Sequence, residues 1–330
     1  MEWSLHIGGA DDLEGDLSLD RIAAVERGAT IHPSVTLAAR LIAKNFGRVA
    51  FERLAFGNEF CEHLIPPIAS FESALKSARS RGLSFTFLTP YVSNEGVAAL
   101  RPLFESLERN GGGEVVFNDW GVLNLLRREF PSLALAQGRL LNKSLRDPRV
   151  TTIYASAPAP AGTLSVLQRS NLDCESYTDL LSRLGVDTVE MDNLPQGNDL
   201  SFADGGMKIS FHLPFGFIST SRICMAAGLH YRKRDKFQPG APCRHECQTH
   251  LLEYTYTNSP FGNRDQKFYL KGNSYFYAHT EAMLRALFEQ ARGGRIARMV
   301  FQPRLPMMAA CSKFGAPSSG GKARRQVPSA

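Results

Sequence analysis

Apolar residues run along this chain in two alternating rhythms. Short apolar runs read as strands, and longer amphipathic stretches between them place apolar residues three and four positions apart. The first rhythm predicts strands at Trp3–Ile7, Arg48–Leu54, Ser84–Leu88, Glu114–Asn118, Leu133–Gln137, Thr188–Asp192, Lys208–Leu213 and Ala297–Gln302. The second predicts helices at Ser34–Lys44, Phe71–Arg81, Val97–Arg109, Gly121–Glu129, Ser176–Leu184 and Thr280–Arg292. Glycine runs at Gly111-Gly112-Gly113 and Gly293-Gly294 punctuate the series, and no internal repeat shows.

Eight strands with helices between most of them predict an α/β chain folded as a (β/α)8 TIM-like barrel, for which about 250 residues is usual. An open doubly wound sheet is the rival, but no GxGxxG element opens a helix. The expected organisation is a single barrel domain over 1–313, an insertion at 215–277 between the seventh strand and the last helix, and a disordered basic tail at 314–330 rich in Gly, Ser, Pro, Lys and Arg. In such a barrel, function gathers at the carboxyl ends of the strands. Those ends carry Asn58-Glu59-Phe60-Cys61, Asn118-Asp119-Trp120-Gly121, Gln137-Gly138-Arg139, Asp192-Asn193, His212 and Gln302-Pro303-Arg304.

Composition narrows the class. With 43% hydrophobic and 21% charged residues, the 330-residue chain reads as an ordinary soluble protein. Its apolar runs are far short of a membrane span. The start, Met1-Glu2-Trp3-Ser4 followed by Asp11, Asp12 and Glu14, has no basic region or cleavage site, so a cytoplasmic protein is expected. The net charge of +6 comes largely from Lys322-Ala323-Arg324-Arg325 and Arg232-Lys233-Arg234. No stripe of basic and aromatic residues supports a nucleic-acid partner.

Cysteine carries the chemistry. Two of the six cysteines sit in Cys243-Arg244-His245-Glu246-Cys247, and Cys224 lies upstream beside Arg222. Flanking arginines stabilise thiolates, and clustered thiolates bind soft metals or iron–sulfur clusters. Cys61 lies on the same predicted rim and supplies a fourth thiolate. Zinc competes, because His245 and His250 beside Cys243 and Cys247 could complete a local Cys2His2 site. The spacing required for a radical-SAM cluster is missing, since His250 stands where its last cysteine would be. Cys174 and Cys311 are read as spectators.

Phe56-Gly57-Asn58-Glu59-Phe60-Cys61, Asn118-Asp119-Trp120-Gly121, Ser221-Arg222-Ile223-Cys224 and Cys243-x3-Cys247 resemble the collagenase-like U-type peptidase family, U-32, and within it the UbiV-like branch. The resemblance extends from about the first strand to Pro303. It implies a barrel holding a 4Fe–4S cluster on Cys61, Cys224, Cys243 and Cys247. It further implies oxygen-independent hydroxylation of a ubiquinone precursor or of RNA bases, with prephenate as oxygen donor and a sister family member as heterodimer partner. The Cys224–Cys243 gap and the run from Gly138 to Arg149 depart from that branch and leave the substrate open. Two rival functions remain: a peptidase acting on collagen-like chains, although no nucleophile–base pair stands out, and a non-catalytic cluster-bearing subunit of a heterodimer.

The other candidates each have two readings. Asp119 either caps the helix from Gly121 or orients substrate, and Asn118 stands beside it on the rim. Glu59 either anchors the turn before Cys61 or carries a proton. Arg139, Lys143 and Arg222 can recognise a small carboxylate donor, or Arg139 can pair with Asp119 or Asp192. His212 is a substrate contact or a satisfied core histidine. The aromatic stretch Phe268-Tyr269 to Tyr275-Phe276-Tyr277 is read as a hairpin packed over the cysteine loop.

Overall fold

A strand in a parallel sheet must pair both edges and bury both faces, and a closed ring of strands jacketed by helices does both. The computed structural model, which describes residues 1–9, 18–20, 32–149, 160–236, 243–255 and 267–307, shows such a ring. Its first seven strands are β1 (Glu2–Ile7), β2 (Arg53–Gly57), β3 (Ser84–Leu88), β4 (Glu114–Phe117), β5 (Ala134–Gln137), β6 (Thr188–Asp192) and β7 (Lys208–Leu213). Four more, β8 (Phe215–Thr220), β9 (Leu252–Thr255), β10 (Lys267–Lys271) and β11 (Ser274–Ala278), precede the last barrel strand, β12 (Arg298–Phe301). The barrel closes in the order β1-β12-β7-β6-β5-β4-β3-β2, every pair parallel. This is the expected (β/α)8 barrel.

The helices follow the apolar spacing. They are α1 (Pro33–Phe46), α2 (Ile68–Ser80), α3 (Asn94–Arg109), α4 (Trp120–Glu129), α5 (Thr163–Leu167), α6 (Glu175–Arg183), α7 (Glu246–Thr249) and α8 (Glu281–Arg292). In α3, Leu100, Leu103, Phe104 and Leu107 share the buried face, and Ser93 Oγ caps the start by accepting from Gly96 N at 3.3 Å. Outward-facing strand residues meet these faces: Phe71 of α2 stands edge-on to Phe85 and Phe87 of β3, with centroids 5.6 and 4.9 Å apart. No helix among the described residues is long and apolar enough to cross a membrane.

Inside the barrel, the alternation stacks side chains in tiers. At the amino-terminal end, Arg298 forks onto Glu114 at 2.6 and 3.1 Å and reaches Glu2 at 2.6 Å, while Arg53 binds Glu2 at 2.8 Å. Burial alone would raise the Glu114 carboxyl, but Arg298 and Arg53 hold it below the usual range. Above lies a small apolar tier of Ala55, Leu88, Val116, Ala136 and Val300. The carboxyl-terminal end is polar again.

Strand two differs from expectation. Arg48–Leu54 has the right alternation, but the strand runs Arg53–Gly57, because Arg53 joins the Glu2 network and Phe51 packs against Phe301 at 6.2 Å instead. The segment after β7 forms its own antiparallel sheet, β8-β11-β10-β9, with the expected aromatic hairpin at β10–β11. The tail at 314–330 and Cys311 lie outside the described residues.

Candidate functional site

The four cysteines singled out above arrive from three stretches of chain. Cys61 ends a turn after β2 in which Asn58 Oδ1 accepts from the backbone N–H of Phe60 at 2.8 Å and of Cys61 at 3.0 Å. Cys224 follows β8, and its Sγ accepts from Ala227 N at 3.4 Å. Cys243 Sγ accepts from the backbone N of His245, a residue held at φ 57°, also at 3.4 Å. Cys247 lies on α7, and its Sγ accepts from Gln248 Nε2 at 3.2 Å.

These thiols lie near enough for each to feel the charge of the others. Burial pushes Cys61 up to about 12, opposed by the His63 N–H and reinforced by the neighbouring charges of Cys247, Cys243 and Cys224. Burial likewise raises Cys224 and Cys247, and Cys243 acts on both; Cys224 also acts on Cys247. Every pair among the four is thus within electrostatic reach. The β10–β11 turn covers them closely: a Cβ on Gly272, which has φ +60°, would stand 2.6 Å from Met307 Cε and 3.2 Å from Cys247 Cβ. Next to it, Lys271 is 2% exposed and its pKa is lowered by burial, with Cys247 the charge that opposes the shift.

Two residues before Cys61, Glu59 enters a different network at the barrel mouth. Arg139 is fully buried and binds Glu59 at 3.1 and 2.5 Å and Asp192 Oδ1 at 2.8 Å. Arg146 binds Asp192 Oδ2 at 3.0 Å and donates to the carbonyls of Asn142 and Arg139. Both guanidiniums lie over aromatic rings, Arg139 over Phe60 at 5.4 Å and Arg146 over Phe217 at 4.4 Å. Burial would raise Asp192, but Arg139 and Arg146 hold it low. The two carboxylates and two arginines neutralise one another.

Glu190 is the carboxyl left over. Burial raises it to about 7 despite Arg139, and its Oε2 lies 2.8 Å from His212 Nε2. Burial holds His212 well below its ordinary value, with Arg139 acting the same way. Glu59, Glu190 and His212 place ligand atoms within 4.8 Å of one another, yet the Arg139 guanidinium already supplies the positive charge there. Between this mouth and Met307 is a cavity of about 50 Å³, lined by His6, Gly57, Asn58, Leu64 and Arg304 among others.

The remaining candidates support the backbone. Asp119 caps α4, Oδ1 accepting from Gly121 N at 2.7 Å. Asn118 donates to Thr89 O at 2.9 Å and accepts from Leu140 N at 2.9 Å, joining three strand ends. Arg222 is exposed; it lies over the Tyr91 ring at 5.3 Å and donates to Val92 O at 3.3 Å. Lys143 donates to Leu140 O at 2.7 Å. His250 turns to the Glu246 carbonyl and Thr249, and Cys174 is exposed at the start of α6. Glu190, Arg146 and Lys271 were not among the expected site residues; inward position on a strand was the signal for Glu190.

No protein-family model and no curated protein matches this sequence. Among solved structures, the chain is similar to the U32 peptidase Mk0906 at 12% identity, covering 92% of each chain with a TM-score of 0.36. It is also similar to the spore cortex-lytic enzyme SleL of Bacillus megaterium at 9% identity, covering 91% of this chain and 70% of that one, TM-score 0.33. A class V chitinase from Cycas revoluta gives 11% identity, 76% and 87% coverage, and a TM-score of 0.32. The barrel assignment rests on the strand order itself.

Proposed function

We propose that the chain is an iron–sulfur protein that takes part in an oxygen-independent hydroxylation or a related redox modification. The convergence of Cys61, Cys224, Cys243 and Cys247 carries this reading. The donor set suits a polynuclear centre. Four thiolates on one zinc ion, each about 2.3 Å from the metal, would stand about 3.8 Å apart. Four cysteines are the ligand set of a 4Fe–4S cluster, and a single zinc is the competing guest that metal analysis separates from it. N–H groups aimed at three of the sulfurs are the usual support for such a centre, and they tune its potential.

Lys271 is a second support. A buried ammonium is costly unless an anion faces it, and no carboxylate is paired with it among the described residues. A four-thiolate centre would be that anion. When bound, the cluster supplies one-electron chemistry. The protein's own residues hold the thiols, cover Cys247 with the β10–β11 turn, and favour the protonated form of Glu190 beside His212. The hydroxylation itself, the U-32 affiliation and a small carboxylate donor are proposed on the strength of the motif resemblance. Such a donor would enter the cavity beside His6 and Arg304.

The subunit reading has its own support. Arg139, Arg146, Glu59 and Asp192 already satisfy one another, and about 50 Å³ is well below the ~300 Å³ of an ordinary ligand pocket. A cluster-bearing subunit that completes a partner's site needs neither a free arginine nor a large cavity at the barrel mouth.

Anaerobic isolation followed by iron and acid-labile sulfide analysis tests the proposal. A brown protein bleached by dithionite is expected, with iron lost in Cys243→Ala and retained in Cys311→Ala. Colourless protein holding zinc, or equal iron in both variants, would refute the ligand assignment.

A further inference from the structure

Four thiols from distant segments meet only if something fixes those segments to one another. Cys61 belongs to the barrel, whereas Cys224, Cys243 and Cys247 belong to the segment around the antiparallel sheet. At their junction sits Asn273, 5% exposed, at the tip of the β10–β11 turn. Its Nδ2 donates to Phe60 O at 2.7 Å and to Ser221 O at 2.7 Å, and lies 3.0 Å from the Tyr91 hydroxyl. Its Oδ1 accepts from Ser274 Oγ at 3.0 Å, and its own carbonyl accepts from Ser221 N at 3.2 Å. The next carbonyl back, Gly272 O, accepts from Ala226 N at 3.2 Å.

Phe60 O belongs to the peptide that continues into Cys61, and Ser221 lies three residues before Cys224. One amide therefore bridges the backbone of the barrel's thiol segment and that of the first sheet thiol. The side chain suits the task. A primary amide carries two N–H donors and one acceptor on a short, stiff stem, and here all of them are used. An aspartate of the same shape would aim a carboxylate at two carbonyls, and alanine would take from the buried Phe60 carbonyl the donor that ties it to the turn, leaving Ser221 O to the Tyr91 hydroxyl.

We propose that Asn273 is the positioning residue of the thiol centre, holding Cys61 in register with Cys224. This rests on the reading of the four thiols as one centre, but the geometric part can be tested without metal. In a full-length chain keeping only Cys61 and Cys224, with serine at the other four cysteines, a short bifunctional thiol reagent should cross-link the pair efficiently. Asn273→Ala and Asn273→Asp should cut the rate of cross-linking by at least about tenfold while circular dichroism and reactivity toward a monofunctional reagent stay unchanged. Tyr91→Phe, which removes one partner of the amide, should cut it by about threefold.

In the chain with all six cysteines, anaerobic reconstitution with iron and sulfide should give Asn273→Ala a cluster that a chelator strips about 10- to 100-fold faster than the wild type. Unchanged cross-linking and unchanged stripping in Asn273→Ala would overturn the proposal and leave the iron reading intact. Cross-linking that depends on Asn273 in a protein that takes up no iron would do the reverse. Should Asn273→Ala fail to fold, the isosteric Asn273→Asp decides the matter, and wild-type cross-linking there assigns Asn273 to the fold alone.

Discussion

Glu59 and Cys61 are two residues apart, yet they belong to regions built on opposite terms. Around Glu59, each full charge has its counterpart in the protein: Arg139 forks between Glu59 and Asp192, and Arg146 takes the other oxygen of Asp192. Around Cys61, three more thiols, N–H donors and a buried lysine gather, and among the described residues no carboxylate is paired with that lysine. The first region is complete as a polypeptide. The second has the composition of a receptacle. Stability should therefore reside in the first region and guest binding in the second.

Mutations can break that division. The largest expected effect is Arg139→Met, which strands Glu59 as a buried unpaired charge, leaves Asp192 to Arg146 alone and should cost about 3–5 kcal/mol in urea unfolding. A loss under about 1 kcal/mol would show that water reaches the mouth. Lys271→Met should split the two states of the protein. Without metal it should leave stability equal or higher, since a buried ammonium is removed; with metal it should weaken retention and lower the reduction potential. The same sign in both states would mean that Lys271 does not serve the thiols.

Glu190 offers a pH test within the finished region. Its folded pKa, about 7, lies above the unfolded value, so the folded state holds the extra proton. Its contribution is fully present below the unfolded value near 4.5 and is lost as pH rises through about 7. Glu190→Gln should therefore gain stability relative to wild type between pH 5 and pH 7, by up to about 1.4 kcal/mol for each pH step, and level off above that. A difference that stays flat with pH would place the proton elsewhere. The smallest effect should come from Asp119→Ala, a lost helix cap worth about 1 kcal/mol in thermal unfolding. If activity falls by far more than stability, Asp119 also touches substrate.

The parts legible in the sequence are those that repeat locally. Strands such as Lys208–Leu213 and helices such as α3 announce themselves through spacing, because each residue's environment follows from its neighbours along the chain. Strand two slipped because Val49 and Phe51 carry the same alternation as the true strand, and the partner of Arg53 on the neighbouring strand, Glu2, helps fix the register. The four cysteines stood out by type and spacing. Lys271 and Asn273 did not, since a lysine and an asparagine in a hairpin turn are ordinary until the fold sets one beside Cys247 and the other against Phe60, 213 residues away. Arg139 was visible as a charge, but its saturation by Glu59 and Asp192 depends on three strand ends meeting.

One residue, Pro214, separates β7 from β8, and only His279 and Thr280 separate β11 from α8. The antiparallel sheet is therefore clamped at both roots to the barrel wall, and His279 N is bound to Pro214 O at 2.8 Å where those roots meet. Loosening of the sheet would therefore begin away from these roots, toward β9, an edge strand among the described residues, and not at the seam with the barrel.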